Sequence, residues 1–316
     1  MKKVSGQTAN AVMMIKPVKF GYNEETAISN AFQQKEALAT EQIQSQAAQE
    51  FDEFVALLRQ HQIEVLVFED ILDPHTPDAV FPNNWISSHE DGTVILYPMM
   101  AANRRLERRK DIIDSLQNIY HFNVNQIVDY SHHEQQGRYL EGTGSVVFDY
   151  ANGVAYANIS DRTERSILEE LCEMLQYEMI DFRAVDKQGK DIYHTNVVMC
   201  IGEAFATICL QAIPEETERQ RVKDKLLSGG HEIVDINYEQ LYAFAGNMLQ
   251  VRNTNDEKFI ILSRAAYQQL SDEQLDVLAS NGKLLPVGIP TIEKFGGGSV
   301  RCMVAAIHLP KRSFDV

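Results

Sequence analysis

Ser145-Val146-Val147-Phe148-Asp149-Tyr150-Ala151-Asn152-Gly153-Val154-Ala155-Tyr156-Ala157-Asn158 is the stretch on which the fold turns. Two runs rich in β-branched and aromatic residues, Ser145 to Asp149 and Val154 to Asn158, flank the turn Tyr150 to Gly153 and predict a hairpin. Asp161-Arg162-Thr163-Glu164 then reads as a capping box that opens a helix to about Gln176. Met179 to Ala184 follows as a third strand. The unit is strand, strand, helix, strand.

The same order recurs on both sides. Ala11 to Pro17 is a strand, Glu24 to Gln60 carries helix formers with Phe51, Phe54, Val55 and Leu58 at helical spacing, and Glu64 to Phe68 is a strand. Trp85 to Ser88 and Thr93 to Tyr97 form a hairpin around His89-Glu90-Asp91-Gly92. The amphipathic helix Arg105 to Tyr120 and the strand Val124 to Asp129 come next. Beyond the central unit, Val197 to Ile201 and Phe205 to Leu210 form a hairpin around Gly202-Glu203. A helix then begins at Pro214 and stops at Gly229-Gly230. Met248 to Val251, Phe259 to Leu262, the helix from Ser271 to Asn281-Gly282, and Leu284 to Val287 repeat the order again. A unit that returns every roughly 50 to 60 residues, about five times and with no linker between copies, predicts a ring of α/β units. The expected architecture is a propeller-like ring of these units forming one domain over residues 1–316. A Rossmann site is disfavoured, because Gly142-Thr143-Gly144 and Gly296-Gly297-Gly298 run into strand sequence where a helix is needed.

Composition narrows the partners. A net charge of −16 and a pI near 5.0 repel nucleic acid and anionic membrane surfaces. The segment Met1 to Asn10 has no apolar run of the kind that marks a secretory leader, and no stretch is long and apolar enough for a membrane helix. The four cysteines, at 172, 200, 209 and 302, show no CxxC pair or zinc spacing. Reduced thiols in the cytoplasm are therefore expected, and assembly into a homo-oligomer is compatible with all of this. In that compartment the sequon Asn158-Ile159-Ser160 has no consequence.

Four stretches place polar residues where a loop meets the first strand of a unit. They are Asp78-Ala79-Val80-Phe81-Pro82-Asn83-Asn84-Trp85, Arg138 to Ser145, Tyr193-His194-Thr195-Asn196-Val197-Val198, and Gly296-Gly297-Gly298-Ser299-Val300-Arg301-Cys302-Met303. A ring brings the four together at one end of its axis. Glycines at 296–298 allow close backbone approach or positive φ, and Cys302 after them is a candidate nucleophile. His194 is the histidine placed to move protons for it, and Glu141 is a carboxylate able to hold the imidazole or a cationic substrate. Cys172, Cys200 and Cys209 have only helix or strand neighbours and read as core. His132-His133-Glu134 reads as a solvated polar loop, and Arg104 to Lys110 as a solvated helix face.

These motifs, in this order, resemble those of the guanidine-modifying enzymes: arginine deiminases, dimethylargininase, succinylarginine dihydrolase and amidinotransferases. The resemblance runs from about Met14 to the end, and the Phe-Pro-Asn-Asn-Trp stretch looks closest to the arginine-deiminase-related, citrulline-utilisation hydrolases. It implies a five-bladed propeller with the site on its axis and cofactor-free, metal-free covalent catalysis. Cys302 would be the nucleophile, His194 the general acid and then base, and Glu141 the group orienting His194 or the substrate nitrogens. Asp78 would bind a substrate nitrogen from the loop that also holds Phe81. Arg162, at a helix N-terminus, would take the α-carboxylate, with Arg104 or Arg105 as a second contact.

Two positions depart from the deiminase pattern. Asn84 and Asn196 stand where deiminases carry aspartates. An amide both donates and accepts, whereas a carboxylate only accepts, and a ring of carboxylates suits a permanent cation. The exchange tilts the expected substrate from arginine toward the neutral ureido group of citrulline, hydrolysed to ornithine, carbon dioxide and ammonia. The alternatives are an arginine deiminase or dihydrolase, an amidinotransferase, or a non-catalytic module that binds an amino acid.

Overall fold

The computed structural model describes residues 6–312 except 28, 31 and 35–38. The ends of the expected domain, residues 1–5 and 313–316, and parts of the expected 24–60 helix lie outside the described residues.

Fifteen strands form five three-stranded sheets. In four of them an antiparallel hairpin is followed by a helix and a third strand that returns parallel to the second. The first blade holds β3 (Ile86–Ser88), β4 (Thr93–Leu96) and β5 (Gln126–Asp129). β6 (Val147–Asp149), β7 (Val154–Asn158) and β8 (Glu178–Phe182) make the second, and β9 (Met199–Ile201), β10 (Phe205–Ile208) and β11 (Glu232–Asp235) the third. The fourth is β12 (Leu249–Arg252), β13 (Lys258–Ser263) and β14 (Lys283–Val287). The fifth blade takes strands from both ends of the chain. β1 (Ala11–Lys16) pairs in parallel with β2 (Glu64–Glu69) and antiparallel with β15 (Ala305–Ile307), in the register Ala11 to Ile307. That pairing shuts the ring. The expected α/β propeller of five repeated units is the observed fold.

Each connecting helix buries one face against its sheet, as the spacing of its apolar residues requires. On the helix Thr40–Gln60 these are Ile43, Ala47, Phe51, Phe54, Val55 and Leu58, and on Arg165–Leu175 they are Ile167, Leu168, Leu171, Cys172 and Leu175. Cys172, Cys200 and Cys209 are buried core residues, and burial pushes each thiol up, to about 12, 11 and 12.

Several local expectations are corrected. The 24–60 stretch is not one helix: Glu24–Ala27 and Thr40–Gln60 are separate, and the described residues between them are not helical. Arg105 to Tyr120 also divides, into a 3₁₀ turn Asn103–Glu107 and a helix Lys110–Asn118. Extended backbone at Arg108 and Arg109 parts them, while the Arg104 side chain turns inward to Glu107. The capping box at Asp161–Glu164 does not form. Thr163 instead bridges to Leu140 and Ser160, and Glu164 precedes the helix without a side-chain cap bond. Capping boxes occur at Asn237 with Gln240 and at Ser271 with Gln274.

The first strand of three units starts later than expected. Short helical turns, Pro82–Asn84, Gly142–Ser145 and Thr195–Val198, precede β3, β6 and β9. These turns cross the end of the ring axis and touch each other there. A Cβ on Gly144 would lie 2.3 Å from the Asn84 amide nitrogen, and one on Gly246 would lie 2.3 Å from the Val197 carbonyl. Glycine is what the crowding permits.

Candidate active site

Every blade delivers a turn to this end of the axis. Four carry the expected stretches: Asn84, Glu141, His194 with Asn196, and Cys302. The fifth is Phe244 to Asn247, just before β12, and it delivers Asn247. Repeat logic calls for a polar residue there, and Gly246-Asn247 ahead of Met248 is the signal sequence reasoning passed over.

Cys302 ends a tight turn in which its N–H donates to the Ser299 carbonyl at 2.9 Å. Its sulfur receives two amide N–H groups, from Asn196 and Asn247, each at 3.4 Å. Asn247 is itself fixed, donating to the Asn196 carbonyl at 2.8 Å and accepting from the Arg301 N–H at 3.0 Å. Such bonds strengthen as the acceptor takes on negative charge. The glycine loop ahead of Cys302 lies on Phe81, whose ring would sit 2.6 Å from a Cβ at Gly296. Gly297 has φ of 64°, the positive value that glycine adopts at low cost.

His194 Nε2 lies 2.8 Å from Glu141 Oε2. Glu141 Oε1 accepts from the Met100 N–H at 3.0 Å, and Arg162 approaches Oε2 at 3.4 Å. Burial would raise the Glu141 carboxyl, but Arg162, the His194 hydrogen bond and Arg104 hold it well below the usual carboxylate range. An ionised carboxylate only accepts, so Nε2 carries the proton and Nδ1 is the nitrogen that can take one up. Burial outweighs the Glu141 partner and lowers the imidazole to about 4, helped by Arg162 and Arg104. The resting histidine is neutral.

Asp78 accepts at Oδ2 from Asn23 at 2.7 Å and Thr26 at 3.1 Å, while its Oδ1 is buried with no partner. Burial raises its carboxyl against the pull of Arg104. Arg104 forks onto Glu107, both bonds at 2.9 Å, and donates to Asn84 Oδ1 at 2.9 Å and the Phe81 carbonyl at 3.1 Å. A small cavity is bordered by Asp78, Phe81, Asn84, Arg104, Arg162, His194 and Cys302.

The structure therefore brings all the sequence-selected residues to one place, with Asn196 reaching the sulfur and Glu141 reaching His194. It also changes what several of them are free to do. Arg162 is three residues short of the helix that starts at Arg165. Its guanidinium is engaged with Glu141, with Ser29 Oγ at 3.0 Å and with the Thr26 carbonyl at 3.0 Å. Arg104, within the 3₁₀ turn Asn103–Glu107, is buried and not part of a solvated helix face. Arg105 donates to the Met99 and Met100 carbonyls. Asn84 has its acceptor taken by Arg104, and the Asn196 amide donates to Cys302. His133 is buried rather than solvated, between Arg138 at 2.9 Å and Glu170 at 3.3 Å. No group of three or more His, Cys, Asp or Glu among the described residues could hold a metal ion.

Sequence reasoning missed a second set of contributors, Asn23, Thr26, Ser29 and Asn30. They come from the short helix Glu24–Ala27 and the chain flanking it after β1, and reach Asp78, Arg162 and the Gly296 and Gly297 carbonyls. Nothing in their local pattern marks them, since their partners are between 52 and 267 residues away.

A family profile described as N,N dimethylarginine dimethylhydrolase, eukaryotic, matches residues 16–309. The chain belongs to this dimethylarginine dimethylhydrolase family. The family is one of guanidine-modifying enzymes, as the motif order implies. No curated protein matches the sequence. Among solved structures, the chain is similar to the substrate-bound N-terminal domain of ArgZ, an arginine dihydrolase from the ornithine–ammonia cycle in cyanobacteria. Identity is 16%, TM-score 0.72, covering 95% of this chain and 99% of that one. It is similar to unliganded AgrE at 15% identity and TM-score 0.73, over 96% of this chain and 40% of the other. A dimethylarginine dimethylaminohydrolase adduct with 4-chloro-2-hydroxymethylpyridine gives 13% and 0.63, over 94% and 99%. The chain spans 40% of the length of whole ArgZ. Likeness at these identities speaks for the shared propeller.

Proposed function

We propose that this member of the family is a cysteine hydrolase that cleaves a C–N bond at the guanidino carbon of an arginine-type amino acid, with the ring acting as one catalytic unit. The observation that carries the choice is the charge around the cavity. Asp78, Glu107 and Glu141 face Arg104 and Arg162; burial raises the Asp78 carboxyl and pushes Glu107 up to about 7, so with a neutral histidine the cluster is one positive charge short of holding all three carboxylates ionised. A guanidinium supplies that charge and gives Asp78 Oδ1 the donor it lacks. The amides that favoured a neutral substrate in sequence are engaged with Arg104 and Cys302.

In this reading Cys302 passes its proton to His194 and attacks the guanidino carbon. The tetrahedral adduct expels one nitrogen, which leaves as ammonia or an amine with the proton from His194. Water then adds to the trigonal thiouronium carbon, giving a proton back to His194, and the C–S bond breaks to release a ureido amino acid. Glu141 stabilises the imidazolium that forms twice in the cycle. Arg162 and Arg104 brace the two carboxylates. Unpaired cysteines throughout the described chain suit a reducing, cytoplasmic setting.

Citrulline is the second reading. Burial raises the Asp78 carboxyl, and a protonated Asp78 could donate to a ureido oxygen. The test is to supply arginine, dimethylarginine and citrulline in parallel, with Cys302→Ala as blank, and to quantify amine release, citrulline and ornithine. Consumption of a guanidine supports the first reading, and turnover of citrulline alone replaces it with the second. Product that appears only with an added amine acceptor would make the protein an amidinotransferase. With all three compounds untouched, the hydrolase reading is wrong.

A further inference from the structure

A second cavity lies on the ring axis behind the nucleophile. The first strands of all five blades border it, through residues such as Ser87, Phe148, Cys200, Gln250 and Ala306. Asn196 stands in the partition. It borders this cavity, yet its amide N–H reaches Cys302 on the catalytic side, and its Oδ1 is buried with no partner.

None of the residues around the axial cavity is acidic, but one is a cation. Arg301, the neighbour of Cys302, is largely covered by protein and borders the cavity. Its one side-chain hydrogen bond goes to the Val304 carbonyl at 2.9 Å, and it makes no ion pair among the described residues. Burial works against its charge; Tyr150, Cys302 and Cys200 act on it, and His308, which also borders the cavity and is held neutral by burial, feels its charge in turn. A buried guanidinium without a counter-charge is costly, and its planar fork is matched to small oxyanions. In a chain of net charge −16, this is a guanidinium facing a cavity with no acidic lining.

We propose that the axial cavity binds a small monovalent anion, a carboxylate or halide, on the Arg301 guanidinium, and that this anion governs the reactivity of Cys302. With the cavity empty of anion, the uncompensated charge at Arg301 favours negative charge on the adjacent sulfur. An anion cancels that charge from behind without entering the substrate cavity. The inference rests on Cys302 being the reactive thiol, not on which substrate it attacks.

The test is the rate at which iodoacetamide alkylates Cys302, followed by mass spectrometry at fixed pH and ionic strength, as formate or chloride replaces a bulky organic anion. The expected result is a saturable slowing of several-fold in the wild-type protein. Arg301→Gln should start slow and show no dependence on either anion. A wild-type rate indifferent to both anions, or an equal dependence in Arg301→Gln, would overturn the proposal, the latter by placing the anion in the catalytic cavity. Should the variant fail to fold, wild-type crystals soaked in bromide decide by anomalous diffraction: bromide at the Arg301 guanidinium supports the site, and its absence at saturating bromide removes it. Bromide there with a Cys302 that never alkylates would keep the anion site but refute its control of a reactive thiol, along with the reading of Cys302 as nucleophile.

Discussion

His194 and His231 are each buried with Nε2 against a carboxylate oxygen, 2.8 Å from Glu141 in one case and 2.7 Å from Asp149 in the other. In isolation the two pairs look alike. Around His194, however, the carboxylate is shared with Arg162 and the Met100 N–H, and the ring borders the cavity that holds Cys302. Around His231, Asp149 also takes Asn152, which donates to the Gly229 carbonyl, so the pair ties the turn of the second blade to the helix end of the third. His231 borders neither the catalytic cavity nor the axial one. A buried histidine–carboxylate bond is thus a fastening until a cavity and a nucleophile meet it.

The comparison can be broken most directly by mutating both histidines. His194→Ala should lower kcat by about 10²–10⁴-fold with the fold intact, the usual worth of a positioned acid–base group. His231→Ala should leave kcat within a few-fold and cost about 3–5 kcal/mol in denaturant unfolding, as a broken buried pair does. A folded His231→Ala that loses activity as heavily as His194→Ala would erase the distinction. Asp78→Asn sharpens the catalytic side. It removes the acceptor proposed for a guanidinium, so kcat/KM for a guanidine should fall relative to citrulline by about ten- to a hundredfold, the worth of a charged hydrogen bond. An unchanged ratio would take the charge preference away from Asp78.

Acidification gives the next effect in size. The folded-state value of His194 is about 4, and those of His89 and His308 are about 4 and 3, all lowered chiefly by burial from 6.5. Between about pH 6.5 and 4 the unfolded chain binds protons that the folded chain refuses, so stability rises with pH and is lost on acidification through that window. Each histidine contributes a slope of up to about 1.4 kcal/mol per pH unit. Urea midpoints measured from pH 7 to 4 should show the fall, and a smaller one in His308→Phe if that variant folds. A flat profile would mean these imidazoles are hydrated. The smallest effect is expected at Asn247→Ala, which removes one of two amide donors from the sulfur. Alkylation of Cys302 should slow by about tenfold or less, as one hydrogen bond contributes.

Much of this was legible in the chain, and the reason is periodicity. Hairpins such as Val147 to Asn158 and amphipathic helices such as Thr40 to Gln60 are written in local spacing, and their recurrence implies a ring. Once a ring is accepted, polar residues at equivalent places before the first strands must converge, which is why Glu141, His194, Asn196 and Cys302 could be chosen together. Helix starts were less legible. The polar side chains of Asp161 to Glu164 match a cap pattern, yet Thr163 finds Leu140 instead, and that bridge carries Arg162 to Glu141.

What the amino-acid sequence determined by itself is therefore the repeat, the blades, and which kinds of chemical group meet at the axis, because these follow from short-range patterns summed over five copies. Only the tertiary structure decided how those groups are used. It placed Asn23, Thr26 and Ser29 on Asp78 and Arg162, engaged Arg104 with Asn84 and Arg162 with Glu141, and left Asp78 Oδ1 without a partner and Arg301 without a counter-charge among the described residues. Hydrogen bonds and charge pairs between residues far apart in sequence depend on distances of a few ångströms, and such distances exist only after the ring has closed.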